Sequence, residues 1–143
     1  LWMSQWEFVD QRVEGGAEYL GFTANDADGN DMTDMLLSTE NLLMFTTQDL
    51  GGITDDEWTK IKEITEMADE NGFYVVWAVA TTPEVMAQWQ EKHDFIYEVY
   101  YGDELEIKTL VRFNPGLMWL DNGLVKDKWS AVDFNRAKRI FNR

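Results

Sequence analysis

Apolar and polar positions alternate along this chain with two different periods, and the switches between them mark out its elements. Trp2, Trp6, Val9 and Val13 recur at helical spacing, with Gln5, Asp10, Arg12 and Glu14 elsewhere on the wheel; this predicts an amphipathic helix ended by Gly15-Gly16. Such a helix either packs on the domain or forms a stalk or juxtamembrane segment with Trp at an interface. Residues 18–24 read as a strand, followed by an acidic turn and a short helix over 32–37. The run NLLMFT at 41–46 is suited to a strand buried on both faces. A glycine loop, 47–53, leads to Thr54-Asp55-Asp56-Glu57, a capping box in which Thr54 and Glu57 satisfy each other's free backbone N–H groups. The helix that follows buries Trp58, Ile61, Ile64 or Thr65, and Ala68, and stops at Asn71-Gly72. FYVVWAVA, 73–80, is a second buried strand. Thr82 caps and Pro83 opens a helix to about residue 92. Residues 95–101 form a third strand, and Asp103 caps a helix to about residue 112.

The stretch RFNPGLMWLDNGLVKDKW, 112–129, places the turn pair Asn122-Gly123 between two apolar runs. Both residues tolerate the positive φ of a type I′ turn, so the stretch reads as a hairpin. Pro115 opens it, although proline has no N–H to give a ladder. A basic helix over 133–141 completes the chain. Strands alternating with helices imply a sheet with parallel pairs and helices on both faces, to which the hairpin adds an antiparallel edge. No internal repeat, low-complexity tract or linker follows Gly16. The expected organisation is a leading helix or stalk over 1–16 and one α/β domain over 17–143.

Composition adds charge to this picture. The net charge is −15, which disfavours nucleic acid and anionic membrane surfaces as partners. The charge is uneven: Lys126, Lys128, Arg136, Lys138, Arg139 and Arg143 face only Asp127 and Asp133 over residues 124–143, a balance of +4, so the remainder carries −19. A solvated terminal helix accounts for that tail more simply than a docking patch does. There is no cysteine, which excludes disulfides, thiolate catalysis and Cys-based zinc sites in this chain. No apolar run approaches the ~18 residues of a membrane span, and no signal peptide is evident. The chain begins at Leu1 rather than Met, and we expect a segment of something longer.

Tested against spacing, most candidate chemistry falls away. An EF-hand loop started at Asp26 would put Asp31 where glycine is required and Leu37 where glutamate is required. A turn on Asp28-Gly29 explains the acidic segment instead. His93 is the only histidine and sits at an expected helix C-terminus, where a cation complements the dipole. Ser4, Ser38 and Ser130 lie in no nucleophile-elbow setting, and no phosphate-cradling glycine motif occurs. Asp55-Asp56 and Asp103-Glu104 sit at helix starts, where the dipole accounts for them.

The order of elements resembles the thioredoxin fold. LLMFT, a loop into a long helix, FYVVWAVA, a helix, a strand and then NPGLMWLDNGLV carry the likeness, over about residues 18–129. The extra N-terminal strand and inserted unit look like the peroxiredoxin and TlpA-type branch. The resemblance implies a three-layer sandwich: a mixed sheet with helices on both faces and a C-terminal hairpin opened by a cis-proline, Pro115, facing the active-site loop. The family's redox cysteines belong where LLMFT turns into its helix; Thr46 to Ile53 stand there instead, and none is Cys, Ser or Ala. EYLGFTANDADGNDMTDMLL together with RFNPGLMWL also resembles the thioredoxin-like region of bacterial DoxX-family membrane proteins. The implied function is a non-catalytic module that binds a peptide, protein partner or small ligand, with no catalytic residues, metal or cofactor. The implied setting is a soluble domain at the bacterial inner membrane, associated through segments outside this chain. The binding residues expected are Thr47, Gln48, Asp49, Gly51, Gly52, Asn114 and Pro115, with the backbone of Asn114 pairing an extended segment. The alternative is a metal- or carboxylate-dependent enzyme using Asp26, Asp28, Asp31 or Asp34.

Overall fold

Every side chain of β1, Leu42–Thr47, is buried, and this decides the architecture. A strand buried on both faces must lie inside a sheet that is itself covered on both sides. The computed structural model describes residues 23–92, 95, 97–111 and 114–141. The leading helix expected over 1–16, most of the strand expected over 18–24, and His93, Arg112 and Arg143 lie outside them. β1 pairs in parallel with β2, Tyr74–Val79, and antiparallel with β4, Gly116–Asp121. β2 pairs in parallel with β3, Glu98–Tyr101, and β4 antiparallel with β5, Leu124–Ser130. The resulting five-stranded mixed sheet has the order β3-β2-β1-β4-β5.

The period of two along each strand assigns side chains to the two faces. Leu43, Phe45, Trp77, Val79 and Leu117 pack against Ile61, Ile64 and Ala68 of α2, Asp55–Glu70, and against Met86 of α3, Pro83–Lys92. Leu42, Met44, Val76, Ala78 and Met118 pack on the opposite face against Leu36 of α1, Thr33–Leu37, and Ile107 and Leu110 of α4, Glu104–Leu110. Full burial of each such side chain contributes about 1.5–3 kcal/mol, so both helical layers are held mainly by this contact.

The helix starts follow local chemistry. The Glu57 N–H donates to Thr54 Oγ1 (3.2 Å) and the Thr54 N–H to Glu57 Oε1 (2.9 Å), completing the capping box of α2. Thr82 Oγ1 accepts from the Val85 N–H (3.3 Å) at the start of α3. Asp103 Oδ2 accepts from the N–H groups of Leu105 (3.0 Å) and Glu106 (3.2 Å) at the start of α4. Asn122 and Gly123 turn the β4–β5 hairpin with φ of 51° and 84°, as their type I′ propensity predicts.

Three boundaries differ from expectation. β3 begins at Glu98 rather than residue 95, because Phe95 is buried among Trp77 (ring centroids 5.4 Å), Trp89 (5.4 Å) and Tyr97 (5.0 Å) instead of joining a ladder. α4 ends at Leu110; Val111 is extended (φ −139°, ψ 121°) and its β-branched side chain is buried against Gly116. The single helix expected over 133–141 is a 3₁₀ turn, Ala131–Asp133, one α turn, α5, Phe134–Ala137, and a second 3₁₀ turn, Lys138–Phe141. The reason is a spacing of three: Ala131, Phe134, Ala137 and Ile140 are all buried, and three residues per turn keeps them on one line better than 3.6 does.

Candidate functional site

β1 leaves the sheet into loop 47–53, which contains a short 3₁₀ turn, Leu50–Gly52, before α2 begins. The start of β4 lies beside this loop, since Gly116 pairs with Thr46. The Asn114–Pro115 peptide is cis. Asn114 closes the junction with its side chain. Its Oδ1 accepts from Thr47 Oγ1 (2.6 Å), the Gln48 N–H (3.0 Å) and, more weakly, the Asp49 N–H (3.4 Å), while its Nδ2 donates to the Asp49 carbonyl (2.9 Å). The Asp49 N–H also donates to Thr47 Oγ1 (3.1 Å). One amide side chain therefore clamps three consecutive loop residues to a segment more than sixty positions away. Thr47 is buried while Gln48 is only partly so. The N–H groups of Gln48 and Asp49 are already engaged within the protein.

Two glycines make this packing possible. A Cβ on Gly116 would lie 2.4 Å from Val111 Cγ1 and 2.8 Å from Thr46 Oγ1, closer than real atoms come. A Cβ on Gly52 would lie 3.0 Å from Asp49 Oδ2 and 3.4 Å from Asn114 Nδ2, so Gly52 sits on the clamp.

A cleft of about 210 Å³ opens on the β2 side of the loop. Thr47, Gln48, Asp49, Leu50 and Gly51 form one wall, and Val79, Ala80, Thr81, Val85 and Trp89 form the other. Four of the seven residues nominated from the sequence, Thr47, Gln48, Asp49 and Gly51, line it. Gly52, Asn114 and Pro115 do not; Gly52 and Asn114 stand at the clamp, and Pro115 is buried. The second wall was not foreseen, although a signal existed: in open α/β sheets ligands bind outside the carboxyl ends of the strands, and Val79 ends β2 with Ala80 and Thr81 following it. Trp89 anchors this wall by stacking on Trp58 (5.7 Å), which stacks on Trp77 (5.5 Å) in the core.

The chemistry within reach is limited. The chain has no thiol. Asp49 is exposed at the cleft, and among the described residues no hydrogen bond or ion pair is formed by its carboxylate. In the acidic segment, Asp26 accepts from the Asp28 N–H (2.9 Å), the Asn30 N–H (2.9 Å) and Asn30 Nδ2 (3.1 Å), and Asp31 accepts from the Thr33 N–H (2.9 Å). Hydrogen bonds from Asn30 and from Thr33 hold these two carboxyls below the usual carboxylate range. Their oxygens shape the turn, with Gly29 at φ 87°. Among the described residues no three His, Asp or Glu side chains converge as metal ligands do. On the far edge of the sheet the hydroxyls of Tyr74 and Tyr100 both donate to Glu98, and burial, then that hydrogen bond, pushes Tyr74 up to about 12.

A strand-loop-helix crossover, a mixed sheet of this order and a proline-opened hairpin beside the first loop define a thioredoxin-like α/β fold. Solved structures share it. A Chlorobium tepidum protein assigned as the thiol:disulfide interchange protein DsbE matches with a TM-score of 0.61 at 13% identity, covering 82% of this chain and 87% of its own. The Xanthomonas campestris bacterioferritin comigratory protein, an alkyl peroxide reductase, matches at 0.59 and 10% identity, over 84% and 89%. Yeast Sco1 with copper bound matches at 0.58 and 15% identity, over 85% and 87%. No protein-family model matches the chain, and no curated protein matches it. At these identities the likeness carries the fold, not the activity. Without a cysteine, thiol peroxidase chemistry is disfavoured here. No helix among the described residues is long and apolar enough to cross a membrane.

Proposed function

We propose that this chain is a thioredoxin-like module without thiol redox chemistry, which uses the cleft beside loop 47–53 to bind a peptide, a protein partner or a small ligand. Its setting in this reading is a DoxX-type bacterial membrane protein, on the strength of the sequence resemblance over EYLGFTANDADGNDMTDMLL and RFNPGLMWL. The observation that carries the binding role is the state of the loop. It lacks the cysteines that the fold's redox members place there, yet Asn114 holds it in one geometry beside an open cleft. A loop fixed in this way keeps a preorganised wall, which lowers the entropy cost of binding.

The test is capture of partners from solubilised membranes by the immobilised domain, wild type against Gly51→Trp. A Cβ on Gly51 meets only Asp49 Oδ1, at 3.5 Å, so the added side chain is tolerated at its root, and an indole on this cleft wall is expected to obstruct the cleft. Partners held by wild type and lost by the folded variant support the reading. Partners retained equally by both would move recognition elsewhere, with the basic C-terminal segment next in line. Four apolar spans beside this domain in the full-length protein would support the DoxX setting; a full-length protein without them would refute it.

A further inference from the structure

We infer that the ligand of this cleft is a basic peptide segment, which inserts one aliphatic or aromatic side chain and sets an adjacent Lys or Arg against Asp49. The inference rests on the binding role proposed above and deepens it.

Size comes first. At about 210 Å³ the cleft falls short of the ~300–1,000 Å³ of sites that enclose whole small molecules. It suits a single large side chain presented by a longer segment. The walls that such a side chain would touch are apolar: Leu50, Val79, Ala80, Val85 and Trp89. Val85 is half exposed (51%), so apolar surface at the cleft remains to be covered. The side chains of Gln48 and Thr81 supply polar groups along the same cleft for the segment's main chain.

Charge selects the flanking residue. Asp49 stands on the cleft wall with its carboxylate unengaged among the described residues, and Glu84 precedes Val85 on the other side. Between residues 47 and 59 there are four acids (Asp49, Asp55, Asp56 and Glu57) and no Lys or Arg; between 79 and 91 there are Glu84 and Glu91 and again no base. Lys60 and Lys92 follow these two stretches directly, and Lys60 lies 3.4 Å from Asp56. First-turn acids of α2 and α3 are accounted for by the helix dipoles, but Asp49 belongs to neither helix. These acids disfavour an anionic ligand, and the Gln48 and Asp49 N–H groups are already engaged by Asn114 and Thr47. The body's net negative charge extends the same preference to longer range, as faster association that weakens with salt.

The experiment is an amide chemical-shift titration of the domain with three capped pentapeptides, each carrying a central phenylalanine flanked by lysines, glutamines or glutamates. The expected result is binding in the order lysine, glutamine, glutamate, with lysine favoured by about tenfold over glutamine at low salt and by less at high salt. Shifts should map to residues 47–51 and 79–89. Asp49→Asn, nearly isosteric and so expected to fold, should remove most of the lysine advantage; Gly51→Trp should abolish binding of all three. Equal affinity for the lysine and glutamine peptides would overturn the cationic preference while leaving the cleft as a binding site. No shift with any peptide would overturn the peptide assignment. If membrane partners were also captured equally by wild type and Gly51→Trp, the binding role itself would fail.

Discussion

Removing the Asn114 side chain tests whether loop 47–53 is held or merely adjacent. Asn114→Ala deletes three well-formed hydrogen bonds, at 2.6, 2.9 and 3.0 Å, and one long one at 3.4 Å. A net contribution near 1 kcal/mol for each good bond gives a loss of about 2–4 kcal/mol, the upper end reflecting the buried Thr47 hydroxyl left without an acceptor. Urea denaturation measures the global loss. Amide hydrogen exchange at Gln48 and Asp49 measures the local one, and both should lose protection relative to the β1 core. Asn114→Asp keeps an acceptor for Thr47 and Gln48 but turns the donor facing the Asp49 carbonyl into an acceptor. It should therefore destabilise while preserving part of the Gln48 protection. A loss below about 0.5 kcal/mol in Asn114→Ala, with unchanged exchange at both amides, would refute the clamp, since that is the scatter of ordinary surface substitutions.

Other perturbations follow from the same geometry. Gly116→Ala should cost about 1–3 kcal/mol or more, because its Cβ would meet Val111 and Thr46 inside contact distance; a thermal melt unchanged from wild type would contradict it. Thr54→Ala should cost about 1 kcal/mol by opening the capping box of α2, read by denaturation and by fraying of the first-turn amides. Burial lowers Lys128 from its ordinary 10.5 to about 8, so between those values the unfolded chain binds the extra proton and stability rises with pH. Tyr74, raised from 10.0 to about 12, acts oppositely, and its contribution is lost as pH rises through that window. Stability should thus climb above pH 8 and fall beyond about 10, and Lys128→Met should flatten the climb in a pH series of denaturation curves.

The fold was legible wherever one residue's local chemistry had a single solution. NLLMFT and FYVVWAVA have no polar face to leave outside, so they had to be central strands; Thr54 with Glu57 and Asn122 with Gly123 satisfy or relax the backbone within a few residues. Where the structure departs from the pattern, distant packing decided. Phe95 looked like the start of a strand because apolar content alone does not distinguish a ladder position from a plug among Trp77, Trp89 and Tyr97. The C-terminal segment looked α-helical because it is short and amphipathic, but its buried positions recur every three residues. The candidate site was half legible. Loop 47–53 followed from the place where the resembled family keeps its cysteines. The second wall at Val79 to Trp89 depends on how α3 lies against β2, and the clamp depends on an Asn side chain reaching across the sheet end. Neither leaves a mark in local periodicity.

A thioredoxin-like fold that keeps a binding cleft without thiol chemistry must show its ligand at loop 47–51 and the facing wall. Amide shifts of the domain, followed as the capped pentapeptide with a central phenylalanine flanked by lysines is added, check this most directly. Perturbations should gather at residues 47–51 and 79–89 and be absent in Gly51→Trp. Perturbations confined to the acidic segment at Asp26 to Asp34, or to the basic residues Lys126 to Arg139, with the cleft silent, would contradict it.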